Sequence, residues 1–232
     1  TTYGVEGGAS IEACNMSPND GGSRFAVTVS RSLLCSINLA VPGRHNVQNA
    51  LAAVAVGLEL GLGGDQIRHG LERFRGVDRR FQVKAEVDGI TIVDDYGHHP
   101  TEIRATLDAA RSRGARRIWA IFQPHRFTRT KFLMDEFGPA FSVCERVYVL
   151  DVYSAGEEII PGVNAGSLAE RMRETGCPVA RYAPSAELLI HEILTALEPG
   201  VLVITIGAGS VYRIGEELEK ALKPAAAAKS PA

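Results

Sequence analysis

Val93-Asp94-Asp95-Tyr96-Gly97-His98-His99-Pro100-Thr101-Glu102 decides how the second half of this chain is read. The run Ile90 to Val93 is β-branched and apolar, which suits a buried strand. It gives way at once to two acids, a tyrosine, a glycine and two histidines. Pro100 fits the first position of a helix, where a missing N–H costs nothing. Behind it Ile103, Leu107 and Ala110 recur at helical spacing. The segment therefore predicts strand, polar turn, helix, with the polar cluster at the carboxyl end of the strand, where open α/β sheets bind ligands. A solvated connection is the plain alternative, but so dense a set of ionisable and aromatic side chains favours a site.

The same alternation continues outward. Strands are expected at Phe81–Val87, Ile90–Asp94, Ile118–Gln123, Arg146–Leu150, Val179–Tyr182 and Val201–Ile206. Helices are expected at Pro100–Arg113, Arg129–Phe141, Ala165–Thr175, Pro184–Leu197 and Val211–Leu222. Strands alternating with helices imply a doubly wound, mostly parallel sheet. Val201-Leu202-Val203-Ile204-Thr205-Ile206 is apolar on both faces, as a central parallel strand should be. Upstream the pattern differs. Residues 1–40 read as β structure, with strands at Phe25–Val29 and Leu34–Leu39. An apolar helix follows, from the Asn46 region to Leu60, packed on more than one side. A second helix spans Asp65–Phe74. In the first of these Asn46 is the expected N-cap, and His45 and Asn49, four apart, share one side. The boundary is placed at Gly76-Val77-Asp78-Arg79-Arg80, giving units 1–76 and 77–222. Residues 223–232 are rich in alanine and read as a disordered tail.

Composition narrows the function classes. A formal net charge of −2 gives no electrostatic case for nucleic acid or a membrane surface, and no apolar run approaches the roughly 18 residues of a membrane span. Cys14, Cys35, Cys144 and Cys177 lie far apart, as reduced and mostly buried thiols of a cytoplasmic protein do.

Further polar clusters follow predicted strand ends. Gln123-Pro124-His125-Arg126-Phe127-Thr128-Arg129-Thr130 offers a histidine and two arginines at a helix start, suited to a carboxylate or phosphate. Asp151 to Glu158 is the third. Gly207-Ala208-Gly209-Ser210 is the fourth, and reads as a tight turn with close backbone packing, since the remaining dinucleotide-binding signature is missing. Two chemistries compete. Asp94, Asp95, His98, His99 and His125 could be metal ligands, although the spacing lacks HxH or HxxxH and adjacent histidines diverge on regular backbone. The other chemistry is metal-free anion and nucleotide handling by Arg80, Arg126, Arg129 and the histidines.

Four strings carry a resemblance that separates them: Pro42-Gly43-Arg44-His45-Asn46-Val47-Gln48-Asn49-Ala50, Arg79-Arg80-Phe81-Gln82, Asp94 to Glu102, and Gln123 to Thr130. The chain resembles the Mur ligase family from about Tyr3 to Leu222. The first two strings are general to that family, and the last two are specific to its alanine-adding branch. The resemblance implies a Rossmann-like C-terminal domain preceded by the closing part of an α/β central domain. It implies ATP-dependent ligation of L-alanine to the lactyl carboxylate of UDP-N-acetylmuramate through an acyl phosphate, in peptidoglycan precursor synthesis. Tyr96, His98, His125, Arg126 and Arg129 are similar to the residues that position alanine and the reacting carboxylate, with His98, His125 and both arginines on the catalytic side. His45 and Asn49 resemble adenine contacts, and Arg80 and Asp94 resemble nucleotide contacts, Asp94 at the ribose. No Gly-x-x-Gly-Lys-Ser/Thr phosphate loop occurs. ATP and Mg2+ are therefore expected to bind mainly outside this chain, which has no metal ligands of its own and should not turn over alone. A peptide-recycling ligase of the same family and a non-catalytic ligand-binding module are the rival readings.

Overall fold

A computed structural model describes residues 1–5, 7–19 and 21–227. It divides into two compact units. One comprises Thr1–Val77 with Arg111–Arg113, the other Asp78–Ala110 and the chain from Gly114 onward.

The first unit is built on a four-stranded sheet of β1 (Tyr3–Gly4), β2 (Ile11–Asn19), β3 (Gly22–Val29) and β4 (Ser32–Leu39), in that spatial order. β1 runs parallel to β2 and the remaining pairs are antiparallel. Ser30 and Arg31, with φ of 47° and 70°, make the tight turn from β3 to β4. Positive φ at both central residues matches the right-handed twist of the strands it joins. Helix α1 (Arg44–Glu59) lays Val47, Ala50, Leu51, Val54 and Gly57 over this sheet. They meet Ile11, Phe25, Val27, Ile37 and Leu39 in one core. Each fully buried aliphatic side chain there stabilises the unit by roughly 1.5–3 kcal/mol. Helix α2 (Gly64–Arg73) crosses α1 where Gly57 has no side chain; a Cβ there would stand 3.0 Å from Ile67 Cγ1.

Two expectations change here. The helix starts at Arg44 with Gly43 as its N-cap, and Asn46 sits inside the first turn, its side chain donating to the Pro42 carbonyl. Nor is the helix covered all round. Val56 is 59 % exposed because only one face of a helix with 3.6 residues per turn meets the sheet.

The second unit holds six strands: β5 (Gln82–Val87), β6 (Ile90–Asp95), β7 (Arg117–Phe122), β8 (Arg146–Val149), β9 (Ala180–Tyr182) and β10 (Val201–Ile206). Their order is β5-β6-β10-β7-β8-β9. Every pair is parallel except β5 with β6, a hairpin whose turn, Asp88-Gly89, has φ of 49° and 77°. Alternation along the strands sorts side chains onto two faces. Ile118, Ala120, Phe122, Leu202, Ile204 and Ile206 look one way, toward α3 (Pro100–Ser112), α5 (Met134–Ala140) and α6 (Ala165–Glu174). Trp119, Ile121, Val201 and Val203 look the other way, toward α7 (Ala186–Ala196) and α8 (Tyr212–Ala227). This is the doubly wound, mostly parallel sheet. β10 returns last to lie between β6 and β7, so the order reverses there and a crevice opens at the carboxyl ends of those three strands.

The helix expected over Arg129–Phe141 is two. α4 (Phe127–Phe132) is held at its start by Glu157, which accepts from the Thr128 N–H and hydroxyl, and the chain turns at Leu133 into α5. The turn lets Phe137 and the following Phe141 pack on Phe122, ring centroids 5.2 and 5.0 Å away. α8 extends through Lys223 to Ala227, into the stretch expected to be a tail, and residues 228–232 lie outside the described residues.

Candidate functional site

Three connections converge on the crevice. The first follows β6. Asp95 is buried, and its carboxylate accepts from Phe81 N at 2.8 Å and Gly97 N at 2.7 Å. A Cβ on Gly97 would lie 2.7 Å from Asp95 Oδ1, so the turn needs glycine at that place. Burial pushes the Asp95 carboxyl up, against the Phe81 and Gly97 N–H groups, the Thr106 hydroxyl and the Arg80 charge, which pull it down. Pro100 opens α3, as its sequence position suggested. His99 caps it: His99 Nδ1 accepts from Thr101 N, and Glu102 Oε2 accepts from the backbone N–H groups of His98 and His99 at 3.0 and 3.2 Å. This is reciprocal capping, with histidine in the usual place of serine or threonine.

The cap frees His98 to turn inward. Its Nδ1 lies 3.0 Å from the Tyr96 carbonyl and 3.6 Å from Glu102 Oε2. Tyr96 meets the His98 ring edge-on at 5.7 Å. The second connection, after β7, brings His125 to 5.5 Å from His98, ring to ring. Arg126 takes a strained φ of 72° as N-cap of α4 and stays exposed; its N–H donates to the Tyr153 carbonyl. Arg129, one turn on from His125, donates to His125 Nδ1 at 3.1 Å. The third connection, after β8, stacks Tyr153 on His125 at 5.6 Å and 13°. Burial, then the charges of His98, Arg129 and Arg126, hold the His125 imidazole below its ordinary range, with Glu157 opposing.

The floor is the turn after β10. A Cβ on Gly207 would come within 2.6 Å of the Gln123 carbonyl, and one on Gly209 within 2.8 Å of Tyr153 Cγ. Gly207 lets the turn close on backbone, and Gly209 makes room for the side chains of Gln123 and Tyr153. Gln123 ties this turn down through Val211 N, at 3.1 Å.

Tyr96, His98, His125 and Arg129 are thus brought together, with Arg126 at the rim. Arg80 is about half exposed, 3.7 Å from Glu102 and over the Tyr96 ring. Asp94, expected at a ribose, is only 2 % exposed: Arg79 Nε and Thr205 Oγ1 engage its two oxygens. Sequence reasoning selected Arg80 and gave Arg79 no role. Arg79 also donates to the carbonyls of Gly207 and Gly209 and lies over the rings of Tyr96 and Tyr212. Adjacent arginines carry no mark of which one turns inward. Tyr153 was signalled only by its place after a strand. In the other unit His45 is half-buried and Asn49 exposed, both on the first turns of α1. Among the described residues no group of three or more His, Cys, Asp or Glu side chains could hold a metal. His99 and Asp95 are committed to backbone N–H groups, as the capping and turn contacts show. None of the four cysteines is in a disulfide; Cys144 and Cys177 are buried and the other two partly so. No described helix is long and apolar enough to cross a membrane.

Comparison with known proteins agrees with this architecture. Residues 79–209 match the Mur ligase, glutamate ligase domain, and residues 1–57 match the Mur ligase middle domain. A UDP-N-acetylmuramate–L-alanine ligase of Solibacter usitatus is 48 % identical over 96 % of this chain and 47 % of its own length. One from Geobacter sulfurreducens is 44 % identical over 93 % and 47 %. Among solved structures, the UDP-N-acetylmuramate-alanine ligase of Thermotoga maritima superposes with a TM-score of 0.79 at 26 % identity, over 96 % of this chain and 48 % of that one. The chain spans about half the length of the curated relatives it matches. With both domain models matched in order along a sheet of this topology, the chain belongs to the Mur ligase family.

Proposed function

We propose that the full-length protein containing this chain joins L-alanine to the lactyl carboxylate of UDP-N-acetylmuramate, using ATP, in peptidoglycan precursor synthesis. The observation that carries the reading is the convergence of His98, His125 and Arg129 with Tyr96 and Arg126 at the strand ends. An amino-acid substrate brings a carboxylate and an amine. The reaction adds an oxyanion as the amine attacks an acyl phosphate. Arg126 and Arg129 supply forked, permanently charged donors for carboxylate or oxyanion. The histidines supply imidazoles that can accept or donate a proton. On the nucleotide side we assign His45 and Asn49 to adenine and Arg80 to the nucleotide. Asp94 serves as the counter-ion of Arg79, and with one donor on each oxygen it keeps lone pairs for a ribose hydroxyl, the role we assign it. No phosphate loop occurs in the sequence, so we place the triphosphate and its magnesium mainly on residues outside this chain. This chain's own residues thus supply the amino-acid side and part of the nucleotide side.

The test is amide formation by the full-length protein with ATP–Mg, UDP-N-acetylmuramate and L-alanine, with a tripeptide as competitor. Preferential use of L-alanine supports the reading. Preference for the tripeptide would favour a peptide-recycling ligase of the same family. Failure to consume ATP with either acceptor would leave a binding module. Calorimetric titration of the present chain alone should show weak or no ATP binding. Micromolar binding would mean a nucleotide site of its own, with the Gly207–Gly209 turn the first place to look.

A further inference from the structure

The hydrogen bonds of the two histidines fix opposite tautomers. A carbonyl oxygen can only accept, so the Tyr96 carbonyl at 3.0 Å requires the proton of neutral His98 on Nδ1 and leaves a lone pair on Nε2. A guanidinium can only donate, so Arg129 at 3.1 Å requires His125 Nδ1 to carry a lone pair and puts the proton on Nε2. The charges behind the rings point the same way. Behind His98 stands the Glu102 carboxylate, 3.6 Å from Nδ1, which suits a ring that becomes cationic on accepting a proton. Behind His125 stands a fixed positive charge, so that ring stays neutral.

We propose that His98 Nε2 is the base that takes the proton from the amino-acid ammonium, while His125 acts only as an Nε2–H donor to the substrate's carboxylate or oxyanion. This rests on the acceptor being an amine, as in the function proposed above. The ammonium gives one proton to His98 and its lone pair attacks the acyl carbon. The C–N bond forms, and the C–O bond to phosphate breaks with its electron pair on phosphate. The second amine proton leaves as hydrogen phosphate, and His98 returns its proton to solvent. The titratable and charged groups around His98 are Tyr96 and His99 on its own turn, Glu102 and Arg80 at the helix start, and His125, Arg126 and Arg129 after β7. Glu157, from the β8 connection, acts on His125.

The experiment uses the full-length protein and two acceptors. L-alanine is an ammonium at pH 7, whereas hydroxylamine is already neutral and needs no base. In His98→Asn the L-alanine rate should fall about 10²–10⁴-fold, chiefly in kcat. The residual rate should climb with pH as free amine accumulates, and hydroxamate formation should stay within a few-fold of wild type. His125→Gln should raise KM for alanine and show no such selective rescue. Equal loss with both acceptors in His98→Asn, or selective hydroxylamine rescue in His125→Gln instead, would overturn the assignment. If His98→Asn does not fold, His98→Gln is read the same way. Absence of alanine ligation in the unsubstituted protein would strike the function itself, a separate outcome.

Discussion

Arg79 and Asp94 form a nearly buried ion pair, Nε to Oδ2 at 2.9 Å, and the rest of the same guanidinium holds the carbonyls of Gly207 and Gly209. One side chain thus ties the entry to β5, the end of β6 and the turn after β10. Removing it leaves a buried carboxylate without its counter-charge. Arg79→Met should therefore destabilise the second unit by about 3–5 kcal/mol. Arg79→Lys should recover only part of that, because an ammonium cannot reproduce the fork. Urea unfolding of wild type and both variants checks this; equal midpoints for Arg79→Met and wild type would refute the staple.

Arg126 and Arg129 differ in what else they hold. Arg129 is tied to His125, whereas Arg126 is an exposed helix cap. In the full-length enzyme Arg126→Ala or Arg129→Ala should each cost about 2–4 kcal/mol of transition-state stabilisation, by analogy with loss of an oxyanion donor. Arg129→Ala should also release the His125 tautomer and alter the pH profile of kcat/KM for alanine, which Arg126→Ala should leave in shape. Near-normal kcat/KM for both at subsaturating alanine would remove them from the site.

Much of this was legible in the chain because periodicity and abrupt polarity changes are local signals. β6, its polar turn and Pro100 at the head of α3 follow from ten consecutive residues. The doubly wound sheet follows from strand–helix alternation, and the floor glycines from their position after β10. What was not legible depends on contacts far apart in sequence. Arg79 reaches Gly207, 128 residues away in sequence, and no local pattern distinguishes it from Arg80. Tyr153 joins His125 only through the parallel bridge between their connections. The split at Leu133 answers to the packing of Phe137 and Phe141 on Phe122, not to a helix-breaking residue at that position. Asn46 looked like a cap because its side chain can be one, but Gly43 starts the helix earlier.

Gly207 has φ of 148° and faces the Gln123 carbonyl at 2.6 Å from where a Cβ would stand. Both partners are backbone, so neither yields easily. Gly207→Ala should cost about 1–3 kcal/mol, the usual range for overpacking, and should displace Gln123 from Val211 N. Thermal unfolding measures the first effect, and the exchange rate of the Val211 amide the second. A melting temperature and exchange rate equal to wild type would show that the turn has room to spare.

Glu102 links acid stability to the cap that aims His98. Burial pushes its carboxyl up, but the His98 N–H, the His98 charge, the His99 N–H and Arg80 together bring it below its ordinary value of 4.5. A carboxyl lowered in the folded state adds stability that is fully present above that ordinary value and is lost as pH falls through the folded one. The side chain is 36 % exposed, so screening keeps the charge effect modest, about 0.3–1 kcal/mol at a helix N-terminus. Glu102→Gln should accordingly be less stable than wild type by that amount at pH 7, and the gap should close in acid. Asp95, raised by burial, contributes the opposite slope: its share of stability falls as pH rises through the range above its ordinary 3.8. That slope is common to both proteins and cancels in their difference. Urea titrations of the pair between pH 3 and pH 7 measure it directly. A gap that widens on acidification would mean that Glu102 is not the charged partner of the His98–His99 cap.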